Sequence, residues 1–148
     1  MTKLELSPAT ALLLKSTCVC LNLQKAARAV ARLHDAALRP AGLTNTQFGV
    51  MMMLMRPQPP TITALSAELA MDRTSLTTLL KPLQRRELIA ISAGEEDRRL
   101  RLVTLTTDGR RVLRAALPLW RQVQDKTEKE RGAAATSRVL AALRDYAA

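Results

Sequence analysis

The stretch Glu95-Glu96-Asp97-Arg98-Arg99-Leu100-Arg101-Leu102-Val103-Thr104-Leu105-Thr106 decides how this chain is read. After Arg98-Arg99 the residues alternate, with Leu100, Leu102 and Thr104 on one face of an extended segment and Arg99, Arg101 and Val103 on the other. The spacing predicts a strand whose first face is core and whose second is basic. Upstream, Leu88-Ile89-Ala90-Ile91-Ser92 reads as a β-branched partner strand, and Ala93-Gly94-Glu95-Glu96 as the connection, with glycine supplying a positive φ. Together they make a β-hairpin with a charged tip over about residues 88–105. Taken alone, such a hairpin is an ordinary solvated feature. What precedes it makes it a wing.

Two helical patterns come first. Thr63 is placed to cap a helix containing Leu65 and Leu69, kept slim by Ala64, Ala67 and Ala70. The turn is Met71-Asp72, with Asp72 as N-cap of the next helix, over about residues 73–86. In it Leu76, Leu79, Leu80 and Leu83 form an i, i+3, i+4, i+7 stripe, while Thr74, Thr77, Thr78 and Lys81 share another face. An ordinary solvated helix face mixes Glu with Lys. Short hydroxyls and one long cation, with no carboxylate, suit a helix lying in the major groove of duplex DNA and bonding phosphates and base edges. Helix, tight turn, helix and wing is the order of a winged helix-turn-helix. The candidate DNA contacts are Arg73, Thr74, Ser75, Thr77, Thr78, Lys81 and Arg85 on the recognition helix, and Arg98, Arg99 and Arg101 on the wing.

These residues also carry a family resemblance. Asp97-Arg98-Arg99, followed by Val103-Thr104-Leu105-Thr106 and Asp108-Gly109, resembles the wing signature of the multiple antibiotic resistance regulator (MarR) family. Met71-Asp72-Arg73-Thr74-Ser75-Leu76-Thr77 and Leu80-Lys81-Pro82-Leu83 resemble its recognition helix, and the likeness spans about residues 20–125. It implies a bacterial dimeric transcription regulator, often a repressor released by a small aromatic ligand or by oxidation. It implies that Arg99 is the wing arginine that enters the minor groove and Asp97 the acid that orients it. Three features depart from the family pattern: Thr78 replaces a common groove-contacting arginine, Glu87 a helix-ending glycine, and Glu95-Glu96 adds acid at the wing tip.

The flanks read as helices for assembly. Ser7-Pro8 is a helix-start signal, and Val19, Leu23, Ala26, Ala27, Val30, Leu33 and Ala37 keep helical spacing over residues 17–38, before Pro40-Ala41-Gly42. Thr44-Asn45-Thr46-Gln47 has capping-box spacing and opens a helix through Met55, ended by Arg56-Pro57. Thr106 caps a helix over residues 107–131 with a kink at Pro118, Gly132 marks a joint, and residues 136–146 form the last helix. Alanine- and leucine-rich terminal helices bury little in isolation. The expected fold is therefore mainly α with a small β-wing, a single MarR-like domain over residues 1–148. Its winged helix-turn-helix lobe covers residues 44–106, and its terminal helices (residues 7–42 and 107–148) form an intertwined dimer.

The 148 residues carry a net charge of +10, which fits a polyanionic partner. Residues 61–109 hold seven basic and seven acidic groups, so the lobe is bipolar and its positives matter by placement. Met1-Thr2-Lys3-Leu4-Glu5 lacks a signal-peptide apolar core, and no apolar run is long enough to span a bilayer, so a cytoplasmic protein without a membrane partner is expected.

No catalytic constellation stands out. His34 is the only histidine, which excludes a His-based zinc set, and the wing acids sit beside arginines that would neutralise them. No enzyme, metal or cofactor is expected. Cys18 and Cys20, about 200° apart on one helix, read as small core residues, as a redox pair or, least favoured, as a metal-sensing pair. In the resembling family, effectors sit between the dimerisation helices and the winged lobe, which would place His34, Met51, Met52, Met55 and Trp120 near a cavity for a small aromatic or apolar ligand. The expected function is a homodimeric repressor bound to a palindromic operator in double-stranded DNA. The alternatives are a winged-helix protein-interaction module, a regulator sensing oxidation through Cys18 and Cys20, and a non-specific architectural DNA protein.

Overall fold

In the computed structural model, which describes residues 5–147, two short strands form the hairpin. β1 (Ile89–Ala93) pairs antiparallel with β2 (Arg101–Leu105), from Ile89 opposite Leu105 to Ala93 opposite Arg101. The face assignment is the reverse of the expected one. Val103 and Leu105 are buried, Leu102 and Thr104 are half-buried, and Leu100 is exposed. The reason lies outside the hairpin. Val103 N donates to the Pro60 carbonyl at 3.0 Å, and Leu102 forms a bridge with Thr61, so the preceding loop fixes which side of β2 meets the helices. Gly94 also acts differently from expectation, since the described glycines with positive φ are Gly42 and Gly132. A Cβ at Gly94 would stand 2.8 Å from the Asp97 carbonyl oxygen, so glycine serves close approach across the tip.

The helices follow their caps. α1 (Pro8–Thr17) starts at Ser7, whose side chain accepts from Thr10 N. It does not continue into α2 (Val19–Leu38), because Cys18 is extended between them and its Sγ accepts from Leu21 N. Asn22 Nδ2 donates to the carbonyl of Lys15, an acceptor that the break leaves open, and adds a second bond to the carbonyl of Cys18, which already accepts from Asn22 N. Cys18 and Cys20 therefore do not share one uninterrupted helix, and the 200° argument does not apply to them.

α3 (Asn45–Met53) carries the Thr44–Gln47 capping box and stops two residues short of Met55. α4 (Ile62–Glu68) is capped by Thr61 rather than Thr63. Thr61 is extended after Pro60 and accepts from Ala64 N at 3.0 Å, whereas Thr63 lies inside the first turn. The chain then turns through Leu69–Asp72, with Ala70 in the left-handed region at φ 49, into α5 (Arg73–Arg85). α6 (Thr107–Arg131) runs through Pro118, and α7 (Ala133–Ala147) begins directly after Gly132, three residues before the expected start.

One core gathers Leu38, Phe48, Met51, Leu65, Leu76, Leu80, Leu83, Ile89, Val103 and Leu113. It joins the end of α2, α3 to α5, the hairpin and the first half of α6. Each fully buried leucine contributes roughly 1.5–3 kcal/mol, so the lobe that presents α5 is the firm part of the molecule. Neither α1 nor α7 buries a residue in it. Among the described residues no helix is long and apolar enough to cross a membrane. Met1 to Leu4, used in the signal-peptide reading, lie outside the described residues.

Candidate nucleic-acid interface

α5 is anchored by Leu76, Leu80 and Leu83, all fully buried, which forces its other side outward. Arg73, Thr74, Ser75, Thr77, Thr78, Lys81 and Arg85 are all exposed. Thr78, Lys81, Pro82, Gln84 and Arg85 line an open hollow of about 470 Å³ on this helix. Gln84 was missed in the sequence, although it lies three residues from Lys81 and so shares its face.

Two of these side chains are already engaged. Asp72 Oδ1 accepts from Ser75 N at 2.8 Å, and Oδ2 accepts from the Ser75 hydroxyl at 2.6 Å. These bonds from Ser75 hold the Asp72 carboxyl below the usual carboxylate range. The only acid at this end of the helix thus faces the helix's own donors, and Ser75 is a capping partner rather than a free contact. Thr77 Oγ1 donates to the Arg73 carbonyl at 2.7 Å, which leaves its oxygen able to accept. Arg73, Thr74, Thr78, Lys81 and Arg85 remain as outward-facing groups.

The wing tip is folded by Gly94 N donating to Leu100 O and Leu100 N to Asp97 O, both at 3.0 Å. Asp97 holds Arg99 in three ways. Its Oδ1 accepts from Arg99 N at 2.9 Å and from Arg99 Nε at 3.2 Å, and its Oδ2 accepts from Arg99 Nη2 at 3.4 Å. The Arg99 amide and then its side chain lower the Asp97 pKa, so the acid stays ionised and the arginine stays oriented. The Arg99 side chain is nevertheless 91% exposed. A long cation directed from its base and free along its length is suited to entering a narrow groove. Arg98 and Arg101 are also exposed, and neither is in an ion pair among the described residues. Arg86 differs from these cations, because its Nη1 donates to the Gly42 carbonyl at 2.7 Å.

The five residues expected around an effector do not meet in one cavity. Met52 and Trp120 share an open hollow of about 430 Å³ with Phe48, Leu69 and Leu117, and Trp120 stacks on Phe48 with ring centroids 6.1 Å apart. Met51 is fully buried in the core. His34 is also buried, with Nδ1 donating to Val30 O at 3.0 Å. Met55 is exposed, with its Sδ accepting from Arg110 Nη1. Cys18 and Cys20 are free thiols, half-buried and exposed respectively.

A sequence model of the MarR family matches residues 43–100. The organic hydroperoxide resistance transcriptional regulator of Bacillus subtilis (strain 168) is 28% identical over 91 residues, which cover 62% of each protein. The chain spans 62%, 54% and 52% of the lengths of three curated relatives it matches. The transcriptional regulator MosR of M. tuberculosis, solved in complex with DNA, is 37% identical, with 88% of this chain and 96% of that one covered and a TM-score of 0.77. BpsR of Bordetella bronchiseptica, whose DNA binding is regulated by 6-hydroxynicotinic acid, is 26% identical, covering 86% of this chain and 91% of that one at a TM-score of 0.77. The family match over residues 43–100, which takes in the helix-turn-helix and the wing as far as its tip, and the likeness to MosR along nearly its whole length place the chain in the MarR family.

Proposed function

We propose that two copies of this chain bind a palindromic operator in duplex DNA and act as a transcription repressor released by a small-molecule effector. The observation that carries this reading is the pairing of an exposed, carboxylate-free face on α5 with a wing arginine that Asp97 orients but leaves open. The two elements would read the major and minor grooves respectively. A protein-docking module would instead need exposed aromatic or large apolar anchors on α5, and none of its exposed residues is of that kind.

Dimerisation is supported by the flanks. Leu12, Leu13 and Leu14 of α1, Val30 and Leu33 of α2, and Val139, Leu140 and Leu143 of α7 are exposed apolar residues on helix faces that the lobe does not cover. Residues 7–42 and 107–148 would then be the assembly helices around lobes at 44–106. The hollow beside Trp120 and Met52 is the best-supported effector position, of a size and apolarity suited to a small aromatic ligand. Such a regulator would work in the cytoplasm. Selection from random duplexes followed by sequencing tests the proposal directly. Recovery of inverted repeats supports it, and retention of all duplexes alike favours an architectural DNA protein.

A second reading has one structural support: both free thiols lie at the break between α1 and α2, where oxidation would act on a helix junction. Operator release by peroxide that is lost in a Cys18→Ser, Cys20→Ser double variant would establish it.

A further inference from the structure

The exit of α5 is tied to the end of α2 across 44 residues of sequence. Arg86 Nη1 donates to the Gly42 carbonyl at 2.7 Å. Gly42 closes the 3-10 turn Arg39–Ala41 that follows α2, with φ 69 and its N–H on Arg39 O at 2.9 Å. A Cβ at position 42 would stand 3.1 Å from Arg86 Nη2, so the approach uses both the left-handed backbone and the missing side chain. An ionised donor makes this a stronger bond than a neutral one. At the same junction Asp35 Oδ1 accepts from Asn45 N at 2.6 Å, fixing α2 to the start of α3. The far side of the exit is fixed as well, because Thr106 Oγ1 donates to Glu87 O at 2.7 Å. The end of α5 is thus held between α6 and the end of α2.

We propose that Arg86 is a positioning residue. It leaves the DNA-facing side of α5 and, by holding the Gly42 carbonyl, fixes the angle between the recognition helix and α2. In a dimer whose α2 helices are part of the assembly, that angle sets the separation of the two recognition helices, and so the half-site spacing the dimer accepts. The inference rests on the dimeric DNA-binding reading given above.

The test uses the full chain and duplexes carrying the selected half-site at spacings from one base pair below to two above the preferred one. Each added base pair moves a half-site by about 3.4 Å and turns it by about 35°. Wild type is expected to prefer one spacing by about tenfold or more. Arg86→Met is expected to reduce that preference to about threefold or less, with the slope of log affinity against log salt unchanged. Arg86→Lys, which keeps a cationic donor, is expected to restore much of the preference. If Arg86 instead contacts phosphate, Arg86→Met lowers the salt slope by about 0.9 per protomer and keeps the spacing preference, and the proposal is overturned. Hydrogen exchange of residues 38–44 without DNA separates this proposal from the functional reading. Faster exchange in Arg86→Met supports the tie, and unchanged exchange removes it. A wild type that binds no duplex overturns the functional reading and with it the spacing role, while the exchange result still decides the tie.

Discussion

Gly109, in the first turn of α6, lies directly under the backbone of Leu88, so that a Cβ at position 109 would overlap the Leu88 carbonyl oxygen and stand 2.8 Å from Leu105 Cδ1. The same oxygen accepts from Thr106 N, and Thr106 Oγ1 both caps α6 through Gly109 N and donates to Glu87 O. The base of the wing and the start of α6 are therefore one packed joint, and a backbone oxygen there cannot give way as a side chain would. Gly109→Ala is expected to cost about 3 kcal/mol, the upper end for overpacking. In a chain of this size that lowers Tm by roughly 6–12 °C. Thermal unfolding at fixed protein concentration checks this, and an unchanged Tm would show the joint to be loose.

Glu87 occupies the left-handed region at φ 56, where the helix exit closes with Leu88 N donating to Leu83 O at 3.0 Å. A residue with a Cβ pays roughly 1–2 kcal/mol in that conformation. Glu87→Gly relieves this but gives the unfolded chain more freedom, so the net gain is expected to be about 0.5–1 kcal/mol. The urea midpoint should rise without a change in slope, and Glu87→Ala should show no such gain. A lower midpoint for the glycine variant would mean that the Glu87 side chain contributes contacts outweighing the strain.

Much of this fold was legible because the decisive interactions are local. Thr44 with Gln47, Asp72 with Ser75 and Thr106 with Gly109 each close within three residues, so the sequence carries them almost in full. The leucine stripe of α5 is equally self-contained. Failures occur where a distant or competing group decides. Pro60 and Thr61 select the buried face of β2 from some 40 residues away, and no alternation within the hairpin reveals that. Asn22 stabilises a break at Cys18 inside an otherwise continuous helical pattern. The pairing of Asp97 with Arg99 is what the family resemblance implies rather than what their spacing alone shows, although the two are neighbours in sequence. The surroundings of Trp120 were not legible, since its stacking on Phe48 joins elements far apart in sequence.

α7 contributes no buried residue, yet Val139, Leu140, Leu143 and Tyr146 all stand exposed on it. Such a surface is stable only if something covers it. Deleting residues 133–148 is expected to weaken or abolish dimerisation, and to lower operator affinity because each half-site supplies only part of the binding energy. Sedimentation of the truncated chain measures this. A dimer that persists unchanged would remove α7 from the assembly.

Asp97 is expected to tie the orientation of Arg99 at the wing tip to pH. Its folded-state pKa is lowered, first by the Arg99 amide and then by the Arg99 side chain. A carboxyl with a depressed pKa contributes order that is full above its unfolded value, about 3.9, and is lost as pH falls through the lower folded value. The wing should therefore be insensitive to pH across the neutral range and loosen only in acid. Following the Arg99 amide and Nε resonances on acidification checks this. A transition near neutrality would assign the behaviour to another group. Asp97→Asn, which keeps an acceptor but not the charge, should abolish the acid transition.

Arg99 and the threonines of α5 should fail in different ways when removed. Arg99 projects from the wing with its base fixed on Asp97 and is suited to the negative potential of a narrow minor groove. Thr77 and Thr78 stand on the exposed side of α5, where they would meet base edges in the major groove. Arg99→Ala is expected to weaken binding by about an order of magnitude or more, across sequences, and to reduce the salt dependence by about one to two counterions per dimer. Replacing Thr77 or Thr78 by valine should instead change which bases are preferred within each half-site while leaving the salt slope in place. Titrating these variants against operator and scrambled duplexes at several salt concentrations separates the two effects. Wild-type affinity and slope for Arg99→Ala would remove the wing from the interface, and unchanged base preference in both threonine variants would shift specificity to Lys81, Gln84 and Arg85.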